Sequence, residues 1–149
     1  MDTFEISVFI ENRPREVAKV ARILGDNDIN IRGMALLSLG FSYDAMRMIV
    51  DNPEKAGRVL KERGYVVVPM EVIAVEIEDE PTGLAMVAEI LANKGFNIEY
   101  LYSCGSKKEG SITDILRITR IDDAAEVLRS AGVKVLTRKE LHPALENET

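Results

Sequence analysis

The sequence has no tryptophan, one cysteine, one histidine, and only four tyrosines and four phenylalanines among 149 residues. Each scarcity removes a class of function. A lone Cys104 leaves no internal disulfide framework. Without a Cys-x-x-Cys or a pair of histidines there is no donor set for zinc or copper. A nucleophilic Cys/His pair would have to bring His142, near the end of the chain, onto the hairpin loop beside Cys104, and nothing in the sequence asks for it. The expectation is a surface histidine and a cysteine packed as a small hydrophobe. Long apolar runs are also missing: stretches such as 34–37 and 73–75 are soon broken by charge or glycine, far short of the roughly 20 residues a membrane helix needs. The opening Met1-Asp2-Thr3-Phe4-Glu5 lacks the basic start and apolar core of a signal peptide, which makes the cytoplasm the expected location.

Positive charge is in deficit as well. The formal net charge is -6, and counted from the sequence, residues 1–70 carry 10 basic and 10 acidic side chains, so the whole excess lies in the second half. An acidic chain repels a phosphate backbone, and no Lys/Arg cluster interleaved with aromatics offsets that, so nucleic acid is not an expected partner.

What the sequence does have is an internal repeat. Residues 11–31 lie over residues 78–98 at a constant offset of 67, with nine of 21 positions identical: Glu11/Glu78, Pro14/Pro81, Ala18/Ala85, Val20/Val87, Ala21/Ala88, Ile23/Ile90, Leu24/Leu91, Asn30/Asn97 and Ile31/Ile98. Ahead of each block Ile6, Val8 and Ile10, and then Ile73, Val75 and Ile77, alternate with other residues, the period of a strand. Within the blocks, Val17, Val20, Ala21 and Leu24 fall at helical spacing, as do Leu84, Val87, Ala88 and Leu91. Strand pairs follow around Gly40 and around residues 105–110. Second helices come next, ended by Gly64 and Gly132, and final strands span 65–68 and 133–137.

Each repeat therefore reads β-α-β-β-α-β, an α+β unit in which one antiparallel sheet carries helices on one face, the ferredoxin-like arrangement. The expected organisation is two tandem modules, 1–70 and 71–138, and a frayed tail, 139–149. Only Pro69 and Met70 appear between the last strand of one repeat and the first of the next, which leaves no room for a flexible linker. Sheet edges in need of cover point to a homodimer.

The residues that could carry chemistry sit in the turn between first strand and first helix, Asn12-Arg13-Pro14-Arg15 and its counterpart Asp79-Glu80-Pro81-Thr82-Gly83. A helix N-terminus can hold a carboxylate, and the side-chain oxygen of Asn12 or Asp79 can accept from an ammonium, which together would recognise an α-amino acid. Capping of the helix is the equal alternative for both residues. Asn30 and Asn97 either satisfy a turn or reach a ligand. The run Glu76, Glu78, Asp79, Glu80 reads as a solvated strand end, because divalent cations need oxygens converging from several directions. No metal or cofactor is expected. Tyr100 and Tyr102 share a strand face suited to an interface.

A strand, then Asn-x-Pro or Asp-x-Pro, then a helix ending in Asn-Ile within a βαββαβ unit resembles the ACT domain family, and the resemblance covers both repeats. It implies a non-catalytic regulatory protein of amino-acid metabolism. Such a protein binds a small ligand, typically an amino acid, and acts on a partner metabolic enzyme. It marks Asn12, Pro14, Arg15, Asn30 and Ile31 in the first module, and Asp79, Pro81, Thr82, Gly83, Asn97 and Ile98 in the second. The site lies between modules, the loop of one meeting the Asn-Ile segment of a neighbour. The family usually has glycine directly after the proline, where this chain has Arg15 and Thr82, with Gly83 one place late, so the second module is expected to be the better binder. A ligand-free interaction subunit of a biosynthetic enzyme is the alternative those substitutions favour. An acylphosphatase-like hydrolase on the same scaffold would need a glycine-rich anion cradle, where both repeats carry acid and proline.

Overall fold

The computed structural model describes residues 3–143, which fall into two units. The first module is Phe4–Met70 with residues 141–143, and the second is Glu71–Glu140 with Thr3. Each is a ferredoxin-like βαββαβ module.

The first module runs β1 (Phe4–Glu11), α1 (Glu16–Asp26), β2 (Ile31–Gly40), β3 (Tyr43–Val50), α2 (Pro53–Glu62) and β4 (Val66–Glu71). Its sheet has the order β2-β3-β1-β4, with β3 antiparallel to both β1 and β2. The alternating Ile6, Val8 and Ile10 meet Met46 and Met48 of β3 on the helix side, and Val20, Leu24, Ala56 and Leu60 close the core over them. Burying an aliphatic side chain of this size contributes about 1.5–3 kcal/mol, which is what holds the helices to the sheet. The buried row of α1 is Glu16, Val20 and Leu24. Ala21, on the expected stripe, is exposed, because the contact follows the i, i+4, i+8 row. Asn52 caps α2 by accepting from the Lys55 N–H, with Pro53 in the first helical turn.

The second module runs β5 (Ile73–Glu78), α3 (Gly83–Asn93), β6 (Ile98–Cys104), β7 (Ser111–Ile118), α4 (Ile121–Ser130), β8 (Lys134–Val135) and α5 (Arg138–Leu141). Its sheet order, β6-β7-β5-β8, repeats that of the first. Ile73, Val75, Ile77, Leu116 and Ile118 pack against Val87, Leu91, Ala124 and Leu128. Leu84, also on the expected stripe, is exposed, the buried row here being Gly83, Val87 and Leu91.

Three further expectations are corrected. Pro69 and Met70 are not a connector: both lie within β4, and only Val72 separates β4 from β5. Proline is tolerated there because β4 is an edge strand whose outer N–H has no ladder partner to lose.

The segment after Val135 is not frayed across its described part. The Thr137 N–H donates to Glu140 Oε1 at 3.1 Å and the Glu140 N–H to the Thr137 hydroxyl at 3.3 Å, a reciprocal cap that starts α5. His142 is fully buried rather than on the surface. Its Nε2 accepts from the Phe4 N–H at 3.2 Å and its Nδ1 donates to the Val50 carbonyl at 2.8 Å. Two backbone groups at the start of β1 and the end of β3 explain the burial: each needs a partner, and one neutral imidazole satisfies both. Residues 144–149 of the expected tail lie outside the described residues.

Thr3 does the corresponding service in the second module, its carbonyl accepting from the Val72 N–H at 3.0 Å and its hydroxyl donating to the Val72 carbonyl.

Candidate functional site

In the first module β1 ends at Glu11, and the Asn12 N–H donates to the Ser42 carbonyl at 2.7 Å, which ties the turn to the β2–β3 hairpin. Arg13 reaches back to Glu11 at 2.9 Å. Arg15 then stands at the N-cap of α1 with φ 77, a left-handed residue with no side-chain capping bond. This region suits glycine and strains an arginine. Asn12, Pro14 and Arg15 are all exposed.

The second turn solves the same problem differently. Thr82 precedes α3 with φ -100, again without a side-chain cap, and the tight approach is made one residue later. A Cβ on Gly83 would lie 2.5 Å from the Glu78 carbonyl oxygen, so only glycine lets this helix start close against the end of β5. Asp79, Pro81 and Thr82 are exposed and Gly83 is buried.

The Asn-Ile segments lie at the far end of each sheet. Glu11 pairs with Tyr43 at one end of β3, whereas Ile31 pairs with Val50 at the other. Seven residue steps at about 3.3 Å put roughly 23 Å between them. The second module repeats this, with Glu78 opposite Ser111 and Ile98 opposite Ile118. Asn12 and Asn30 of one module, like Asp79 and Asn97 of the other, are therefore not brought together. Asn30 also has a turn role through its backbone: its N–H donates to Asp51 Oδ1, and its carbonyl accepts from the Asp51 N–H, both at 3.1 Å.

Both repeats thus match a two-module regulatory pattern in order, turn and Asn-Ile placement, and the family described as ACT domain pair matches residues 1–144. The chain belongs to the ACT domain pair family. Among solved structures, protein BT0572 from Bacteroides thetaiotaomicron is 26% identical, with 94% of this chain and 95% of that one covered and a TM-score of 0.87. The regulatory subunit of aspartate kinase from Thermus thermophilus, in its ligand-free form, is 22% identical over 87% of this chain and 92% of that one, with a TM-score of 0.64. The corresponding subunit from Thermus flavus is 20% identical over 88% and 93%, with a TM-score of 0.61. At these identities the two kinase subunits are similar in fold. A comparison with curated proteins finds no match.

Beside the second turn of this ACT pair is a cavity of about 280 Å³, whose lining includes Glu78, Glu80, Gly83, Lys108, Ser111 and Lys134. Sequence reasoning missed Lys108, Ser111 and Lys134. Ser111 could have been found, since it follows the 105–110 hairpin that returns β7 beside Glu78. Its hydroxyl oxygen is buried without a hydrogen-bond partner among the described residues. At the counterpart position the first module has a more open space of about 340 Å³ lined by Lys19, Arg22, Ile23, Arg63 and Tyr65.

Of the acidic run, Glu78, Asp79 and Glu80 are exposed, and Glu76 accepts from the Ser106 hydroxyl at 3.1 Å. Among the described residues no group of three or more His, Cys, Asp or Glu side chains is arranged to hold a metal ion. No helix of the described residues is long and apolar enough to cross a membrane. Tyr100 and Tyr102 are half-buried, opposite Arg117 and Ile115 in register.

Proposed function

We propose that this ACT domain pair is a non-catalytic cytoplasmic regulator that binds a small molecule, an amino acid by preference, at the turns opening α1 and α3, and conveys that state to a metabolic enzyme. The carrying observation is that both turns deliver a helix start with no side-chain cap, next to an exposed Asn12 or Asp79. Uncapped N–H groups and the positive helix end suit a carboxylate, and the neighbouring side-chain oxygen suits an ammonium. The cavity behind the second turn supports that module as the stronger site.

The separation of roughly 23 Å between turn and Asn-Ile segment, from about 3.3 Å per strand residue, means that one module cannot supply both halves of a site for a small ligand. A second copy of the chain would complete it. The edge strand β2 favours such an assembly: it carries no proline, no charge after Arg32, and exposed Met34, Leu36, Leu37 and Leu39.

Thermal unfolding against the twenty amino acids tests the reading. A ligand at about 100 times its Kd adds roughly 2.7 kcal/mol, a rise of about 5–11 °C at the 2–4 °C per kcal/mol of a chain this size. Asp79→Ala and Asn97→Ala should each abolish that rise while leaving the unliganded Tm unchanged. A flat panel would favour the interaction-subunit alternative.

A further inference from the structure

We propose that the first module holds a second, separate ligand site: a groove between α2 and strands β1 and β4 that takes a small amphipathic carboxylate. The groove encloses about 640 Å³, within the range of small-molecule pockets. Its walls are Phe4, Ile6, Pro53, Gly57, Val67 and Pro69, with Ile6 and Val67 almost fully buried as the floor. It lies at the Phe4 end of β1, the opposite end from Asn12, so it is distinct from the turn site.

The groove is specific to this module. Ala56 and Leu60 of α2 correspond to Ala124 and Leu128 of α4, all fully buried, which sets Gly57 against Ala125. Ala125 is itself fully buried within the second module's core, whereas a Cβ at Gly57 would meet nothing within 4 Å. Glycine inside a helix costs about 1 kcal/mol relative to alanine, and no packing in the first module requires it here. The position is left open in one module and filled in the other.

The rim selects the charge. Arg58 and Lys61 border the groove from α2, exposed, and neither makes an ion pair or hydrogen bond among the described residues. Of the two rim acids, Glu54 has a partner of its own, leaving Glu62. Two uncommitted cations over an apolar floor complement an acyl or aryl chain that ends in a carboxylate.

Calorimetric titration of the full chain with octanoate, with octanol and octylammonium as neutral and cationic controls, tests this. We expect one octanoate site per chain. Gly57→Leu should weaken it at least ten-fold without lowering Tm, because leucine favours helix and the space is empty. The double variant Arg58→Gln/Lys61→Gln should remove most of the preference for octanoate over octanol and keep the fold. Asp79→Ala should leave octanoate binding intact, which separates this site from the amino-acid reading. Absence of octanoate binding, unchanged affinity in Gly57→Leu, or equal binding of all three probes would overturn the proposal. So would sedimentation showing a dimer that Gly57→Leu dissociates, since a second copy would then occupy the groove.

Discussion

The imidazole of His142 joins the end of β3 to the start of β1: Nδ1 donates to the Val50 carbonyl while Nε2 accepts from the Phe4 N–H, 92 and 138 residues away in sequence. The two bonds fix one neutral tautomer, with the proton on Nδ1. His142→Ala leaves the buried Val50 carbonyl and the part-buried Phe4 N–H without that partner, at about 1–3 kcal/mol for each unsatisfied group. We expect Tm to fall by roughly 4–24 °C at 2–4 °C per kcal/mol, read by thermal unfolding. A chain ended after Glu140 should fall as far.

Glu5, with none of its surface exposed, pairs with Arg47 at 3.3 Å across the helix-free face of the first sheet, and Ser7 bonds to both. Removing one member of a buried pair strands the other charge. Arg47→Met should therefore destabilise by about 3–5 kcal/mol, and Glu5→Gln/Arg47→Met by clearly less. Urea unfolding of the single and double variants measures the difference.

The two turns should respond oppositely to small-residue exchange. Gly83→Ala drives a Cβ against the Glu78 carbonyl, and overpacking of this kind costs about 1–3 kcal/mol. Arg15→Gly relieves a left-handed arginine, φ 77, and should be neutral or stabilising by up to about 1 kcal/mol. It should also raise amino-acid affinity at the first turn, measured by calorimetry.

The carboxyl of Glu140 is held below its ordinary value of 4.5, first by the Thr137 backbone N–H; burial opposes this as the second-largest effect, and the Thr137 hydroxyl and Lys134 lower it further. A depressed carboxylate stabilises the fold above its unfolded value, and that contribution is lost as pH falls through the folded value. Thr137→Ala should lower Tm slightly at pH 7, and the gap from wild type should narrow as pH falls through the folded value of Glu140, the part due to the Glu140 N–H bond to the Thr137 hydroxyl remaining. Thermal scans at pH 7 and pH 3 read it.

Strands β1 and β5 and helices α1 and α3 were legible because burial leaves a period in the sequence: Ile6, Val8 and Ile10 alternate, and Val20 and Leu24 recur one turn apart. The 67-residue offset made each half a check on the other. His142 was not legible, since its partners are backbone groups of Phe4 and Val50 and carry no side-chain signature. The Thr137/Glu140 cap stands in the sequence as Thr-x-x-Glu, but the helix it starts, Arg138–Leu141, is a single turn and too short to leave an apolar period. Proline misled at Pro69, where an edge strand excuses the missing donor. At the turns, Asn12 and Asp79 could be picked out, but φ at Arg15 and the space at Gly83 are properties of the folded backbone.

The return of residues 141–143 to the first module sets an order on synthesis. When the first 70 residues leave the ribosome, every strand of that module but the end of β4 exists, yet the carbonyl of Val50 and the N–H of Phe4 await a partner encoded 72 codons after Met70. The half that is made first is finished last. It must wait, unlocked, until the whole of the other half has been translated.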